Sequence, residues 1–453
     1  MANPTAVHEA APKQSALLRV LNMMSMPALA ILTAFVLGGL LILISSGSFV
    51  TVGEAYWGLI RGAFIKTRGL SETFVATIPY VLLSLGVAVG FKTGLFNIGV
   101  EGQFTIGAVC AAWAGAAFRD LPSIIHLPLA LVAGALGGAI WAAIPAYLKA
   151  RTGAHEVIST MMMNYVAFRF VEYLVTWPLK DPLATTVQTL RVAPQAEIWT
   201  MAAVPERLKD PSSALLAAFL VWLVVSLIVR TVIGRKLTGR IKTNTQRRVV
   251  YIGAGFIAGL LAFFVLPPLT RLWWPFTDQY DRLHAGLFLA IGAAVFIWWL
   301  MDKTTIGYEL RTVGANPTAA RYAGASITRN IMTAMIISGA LAGLAGTVEV
   351  LGVSICRCLP LFFSSGYGWD SIGIALLAKN NPFGILAASF LFGAMRNGAD
   401  LMELTSGVSK YIISLVQALV LLFVAAPAVV RWLYRIKAAR KDDEAPLTRG
   451  WGG

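Results

Sequence analysis

From residue 27 to residue 430 the chain is a succession of long apolar runs separated by short polar stretches. Several of these runs approach the ~20 residues that a membrane-spanning helix needs. A soluble protein of 453 residues could not hide a composition that is 57% hydrophobic and 13% charged. Mean hydropathy is +0.71. The expected fold is all-α, a polytopic membrane protein with about 10 core transmembrane helices plus an extra hairpin. Counting a short helix after Gly368, about 12 crossings result, and both termini then lie on the cytoplasmic side.

The charge pattern supports this organisation. A net charge of +15 could indicate a nucleic-acid partner, but most Lys and Arg fall in short loops between apolar runs, where cytoplasmic placement favours them. No nucleic-acid partner is therefore expected. Residues 1–26 read as a polar cytoplasmic tail without a cleavable signal. Residues 27–430 form the transmembrane domain, and 431–453 a second cytoplasmic tail. Residues 45–71, with Trp57, Tyr56 and Phe64 among Arg61, Lys66 and Arg68, suit a helix lying in the membrane interface. Their basic excess fits an external location badly. Residues 178–212 hold five prolines with four basic and four acidic side chains, the mark of a partly structured external loop. Within 214–266 a hairpin of two runs brackets seven Lys or Arg between Arg230 and Arg248, with no acid among them.

Three cysteines, Cys110, Cys356 and Cys358, make neither a disulfide framework nor a metal-ligand spacing. No cofactor or metal is expected.

Two stretches interrupt the apolar pattern, and broken or re-entrant helices are expected near 91–105 and 359–382. FKTGLFNIGVEGQFT (91–105) holds three glycines, an Asn, a Gln and the carboxylate Glu101. In a bilayer such a segment is tolerated only where protein buries it or where it lines a wet cavity, and an ionisable residue there is a candidate functional group. GYGWDSIG (366–373) repeats the pattern of glycines around a carboxylate, Asp370. Paired interruptions of this kind point to the binding region of a transporter. Asn97, Glu101, Gln103, Asn164 and Asp370 are the candidate substrate-pathway residues. Glu101 and Asp370 read equally as caps of broken helices or as partners of Lys or Arg, and each polar residue reads equally as interhelical glue.

Five ordered blocks carry a family resemblance. GLFNIGVEGQFTIGA (94–108), HEVISTMMMNYVA (155–167), GYELRTVGANPTAARYAGAS (307–326), ISGALAGLAGTVEVLG (337–352) and GYGWDSIGIALLAKNNPFGILAASFLFGAMRNGA (366–399) together resemble the permease subunits of bacterial ABC importers of the nucleoside and simple-sugar class. These are related to ribose and branched-chain amino-acid permeases. The FNIGVEGQ and GYGWDSIGIALL blocks look closest to the nucleoside-type members. In that family the external loop near residue 200 leads fairly directly into the span that starts here at His284, so the 214–266 hairpin is a departure. It would touch anionic lipid headgroups or pack on a partner subunit.

The resemblance also bears on residues 302–330. Asn316-Pro317 can start a short helix that Gly324 would stop. By itself this could be an ordinary connector. The resemblance identifies it as the loop that docks on the ATPase, with Glu309, Arg311, Asn316, Pro317, Ala319, Arg321 and Gly324 as the contact region.

The implied function is that of an inner-membrane permease subunit translocating nucleosides, or alternatively a simple sugar. The chain contains no G-x-x-x-x-G-K-[ST], so a separate ABC ATPase subunit is expected. A substrate-binding lipoprotein, a second permease (a paralogue) and membrane lipids complete the partners. An intramembrane enzyme would need a catalytic constellation, but the four histidines are scattered and no G-x-S-x-G elbow is present. A proton-coupled secondary transporter is the remaining alternative, with Glu101 and Asp370 as carriers.

Overall fold

A backbone in lipid must close its own hydrogen bonds, and an apolar run long enough to cross does so as a helix. The computed structural model describes residues 16–230, 244–272, 274–363 and 366–435, and it is all-α, with no strand among those residues. The tails at 1–15 and 436–453 and the basic loop at 231–243 lie outside the described residues, and with them most of the readings made of those segments.

The order is α1 (Ala16–Ser46), α2 (Phe49–Ile60) continued by a π-helical turn at Arg61–Ile65, α3 (Gly69–Lys92), α4 (Val100–Ala117), α5 (Ser123–Thr152) and α6 (Glu156–Thr176). A loop with two single 3-10 turns leads to α7 (Val204–Arg207) and then α8 (Pro211–Ile228) and α9 (Asn244–Leu272). The second half holds α10 (Gly286–Lys303), α11 (Thr305–Ala315), α12 (Pro317–Tyr322), α13 (Ile327–Val348), α14 (Tyr367–Leu377), α15 (Pro382–Ser406), α16 (Tyr411–Ala425) and α17 (Pro427–Leu433). A π-helical turn, Glu349–Val353, ends α13.

Among the described residues six helices are long and apolar enough to cross a membrane, seven if the bent pair α7–α8 forms one span. The sequence suggests more crossings. The difference lies in segments such as α4, α6 and α15, which are 18, 21 and 25 residues long but carry Glu101 and Gln103, Asn164 and Arg169, and Arg396 and Asn397. Of these, Glu101, Gln103 and Asn164 face protein, each being 1% exposed, whereas Arg169 is exposed.

At the centre, α3 is buried along most of its length and packs on α13, α14 and α15. Beside it α4, α5 and α13 cross at Gly107, Gly138 and Gly343, where backbone meets backbone. α8 and α9 pair with each other and attach to the rest through the start of α5.

Residues 49–65 do not lie free in an interface; α2 packs along α15. The 274–285 segment makes polar contacts beside it, one of them answering Arg68 with an acid. Arg68 pairs with Asp278 through its Nη2 at 3.0 Å, and Ser71 donates to Asp281 at 2.7 Å. Arg282 donates to Glu72 at 2.9 Å. The Arg68 hydrogen bond holds the Asp278 carboxyl below its ordinary range.

Candidate functional site

The first interruption is a helix break built from amides. Gly94 turns the chain at φ +74°, a left-handed backbone that glycine adopts without penalty. Asn97, 1% exposed, then folds back. Its Oδ1 accepts from Gly99 N at 3.0 Å and from Gln103 Nε2 at 3.1 Å, while its Nδ2 donates to Gln103 Oε1 at 3.0 Å and Ser338 Oγ at 2.9 Å. From α6, Asn164 Oδ1 accepts from Gly102 N at 2.8 Å and its Nδ2 donates to Ile98 O at 3.0 Å. These side chains supply partners to the start of α4, whose first N–H groups have none within the helix.

Asn164→Ala removes both bonds and leaves the buried Gly102 N–H and Ile98 carbonyl unanswered. An orphaned buried group costs about 1–3 kcal/mol, so a lower unfolding temperature of the purified protein in detergent is the expected result. An unchanged Tm would show that the break does not depend on Asn164.

The two interruptions, far apart in sequence, meet in space. Gly368 N, in the first turn of α14, donates to the Glu101 carboxylate. Negative charge at a helix N-terminus is favourable, so Glu101 caps the second broken helix from within the first. α14 itself has 11 residues, a rise of about 16 Å, too short to cross a bilayer. Asp370 lies apart from the amides. Its Oδ2 accepts from Tyr80 OH at 2.8 Å, and Tyr80 OH accepts from Arg396 Nη1 at 3.2 Å. Arg396 stacks over the Tyr367 ring at 4.1 Å, and that ring lies 4.8 Å from Tyr80.

Four of the five candidate pathway residues, Asn97, Glu101, Gln103 and Asn164, are therefore neighbours. Asp370 joins a separate set with Tyr80, Tyr367 and Arg396. Ser338 and Tyr80 escape a sequence reading, because a lone Ser or Tyr within an apolar run gives no signal.

Where α4, α6 and residues 360–363 and 366–369 come together lies a cavity of about 430 Å3. Its wall includes Glu101, Phe168, Arg169, Glu172, Phe363 and Trp369.

At the opposite end of α4's break, residues 302–330 fold as two short helices. Thr304 caps α11 by accepting from Gly307 N at 3.1 Å, and Asn316 caps α12 by accepting from Ala319 N at 3.0 Å. Pro317 is the first residue of α12, and Gly324, at φ +85°, ends it. Asn316, Pro317, Ala319, Arg321 and Gly324 are all exposed. Glu309 instead ties the pair of helices down. It accepts from Arg329 at 2.8 Å and Asn330 at 3.2 Å, which holds its carboxyl below the ordinary range. Arg311 lies 3.6 Å from Asp302. Gly314 of α11 rests on the backbone of Thr93, and Gly94 lies so close to Gly314 that a Cβ added to Gly94 would sit 3.3 Å from Gly314 Cα.

Cys356 and Cys358 are joined by a disulfide. It clips one residue, Arg357, and closes no long loop, so it differs in kind from the framework that cysteine counting looks for.

The family model for the branched-chain amino acid transport system permease component matches residues 69–240 and 238–425. The chain belongs to this permease family. The permease is also similar over nearly its whole length to characterised relatives. It is 35% identical to the guanosine ABC transporter permease protein NupP of Bacillus subtilis over 91% of this chain and 96% of that protein. The nucleoside ABC transporter permease protein NupB of Lactococcus lactis is 27% identical over 94% and 96%. The glucose ABC transporter permease protein TsgB13 of Haloferax volcanii is 28% identical over 93% and 92%. No solved structure matches the chain. The permease is a multi-pass membrane subunit of the ABC-transporter kind and not an enzyme.

Proposed function

We propose that this permease translocates nucleosides across the bacterial inner membrane as one of two permease subunits, the other a paralogue, with both termini cytoplasmic. A separate ATPase subunit supplies the energy and an external lipoprotein delivers the ligand. The observation that carries the substrate is the 35% identity to a guanosine permease over 91% of the chain. A simple sugar is the second reading, because a glucose permease is 28% identical over a similar length.

Uptake of radiolabelled nucleoside and glucose, in cells with and without the chain, tests both. Nucleoside uptake that depends on the chain and stops with vanadate is the expected result. Uptake abolished by a protonophore yet indifferent to vanadate would overturn the ABC reading in favour of proton coupling.

We assign the ATPase contact to the α11–α12 loop, with Glu309, Arg311, Asn316, Pro317, Ala319, Arg321 and Gly324 as its residues. The capped, exposed form of α12 supports this, since a short rigid helix can transmit force where a loose connector cannot. Ala319→Trp or Gly324→Trp should lower uptake about tenfold or more at normal membrane abundance, with ATP hydrolysis no longer tied to uptake, on the scale of a few kcal/mol for a badly overpacked contact. Uptake at the wild-type level in both variants would remove the assignment. Asn97, Glu101, Gln103, Asn164 and Asp370 shape the substrate path in this proposal. The amides hold the α4 break open, and Glu101 joins that break to α14. The α8–α9 hairpin, with Phe219, Leu223, Leu260 and Phe264 exposed, faces lipid.

A further inference from the structure

The outer half of α6 has a charge problem that lipid cannot solve. Arg169 has a side chain 81% exposed and is paired with Glu172 at 2.6 Å. It lies 13 residues beyond Glu156, where α6 begins and where Lys149 pairs with Glu156 at 2.9 Å. At the helical rise that places Arg169 about 20 Å from the Lys149–Glu156 pair, in the interior of a 21-residue helix whose length is about that of a hydrocarbon core of about 30 Å. An ion pair exposed to acyl chains at such depth is costly, and such groups face a bundle interior or a water-filled path. The stripe of α6 that carries Tyr165, Phe168, Arg169 and Glu172 therefore borders water or protein.

That same stripe walls the cavity of about 430 Å3, within the size range of sites for small organic ligands. The opposite wall is aromatic, formed by Phe362, Phe363 and Trp369. Trp369 is 41% exposed and follows Gly368, whose N–H donates to Glu101. Glu101 thus anchors the turn that carries Trp369.

We propose that this cavity is the permease's own contact site for a nucleoside, an inference that rests on the nucleoside reading above. The flat base stacks against Trp369 and Phe168, which suits any base because each has a π-face. The ribose hydroxyls donate to Glu172 and accept from Arg169.

The test uses the complete importer. Wild-type, Trp369→Ala, Phe168→Ala and Glu172→Gln forms are compared for nucleoside uptake, membrane abundance and ATP hydrolysis. Each of the two aromatic variants should lower uptake kcat/KM about tenfold, the scale of a lost base-stacking contact, with abundance and ATP hydrolysis retained. Trp113→Ala, an exposed tryptophan outside the cavity, should behave as wild type. 8-Azidoadenosine should photolabel peptides from 165–175 or 360–370, with protection by adenosine and not by ribose. If the wild-type importer moves glucose and no nucleoside, the substrate reading and this site fall together. If it moves nucleosides while all three cavity variants keep wild-type kcat/KM, the site alone falls.

Discussion

Gly343→Leu is expected to leave no folded permease in the membrane. α4, α5 and α13 cross so closely that a Cβ on Gly343 would lie 3.0 Å from Gly138 Cα, and one on Gly138 would lie 2.7 Å from Gly343 Cα. The obstructing atoms are backbone and cannot swing aside as a flexible side chain would. Overpacking in a core costs about 1–3 kcal/mol where neighbours can relax; here whole helices must separate, so the cost exceeds that range. Small residues at such crossings are what allow helices to associate in lipid, where no hydrophobic force distinguishes a neighbouring helix from an acyl chain. Membrane abundance and size-exclusion behaviour in detergent are the measurements. Gly292→Leu is the matched control, because a Cβ there meets nothing within 4 Å. Equal abundance of the two variants would refute the packing argument.

Gly314→Val is expected to abolish uptake by the permease that still reaches the membrane. A Cβ on Gly314 would lie 2.8 Å from Thr93 C and 2.9 Å from Thr93 Cα, so valine must push α11 away from the turn between α3 and α4. That turn leads directly into Asn97 and the amide network. If α11–α12 receives the ATPase stroke, the Gly314 contact carries it to the α4 break, and a loss of more than about tenfold in uptake per inserted molecule follows from a contact disrupted at the cost of a few kcal/mol. Basal ATP hydrolysis of the assembled complex should persist, which separates lost transmission from lost assembly. Normal uptake by Gly314→Val would mean that force reaches the path by another route.

This contact adds a link that the sequence does not show. Residues 91–105 and 302–330 look like separate devices there, one shaping the path and the other receiving energy. In the fold, Gly94 and Gly314 touch. Glycine signals only permission for a close approach, and which backbone takes up that permission is a tertiary fact. The amides show a similar limit. Asn97, Gln103 and Asn164 stand out because polar groups are costly in lipid, but their partners could not be read. Ser338 and the backbone of Ile98 and Gly102 answer them, so the amides serve the helix break first.

The sequence alone determined the all-α membrane class, the two interrupted regions and the capped α12, because each follows from local rules. Apolar length sets a span, glycine and polar residues break it, and Asn-Pro with a following Gly bounds a short helix. The permease family was legible too, from ordered blocks across most of the chain. Only the tertiary structure decided that Glu101 caps α14 across a long sequence separation, that Asp370 joins Tyr80 and Arg396, and that Arg169 and Trp369 wall one cavity. The physical reason is common to all three. A buried polar or aromatic group states a need for a partner, while the choice of partner is made by how helices from distant parts of the chain cross.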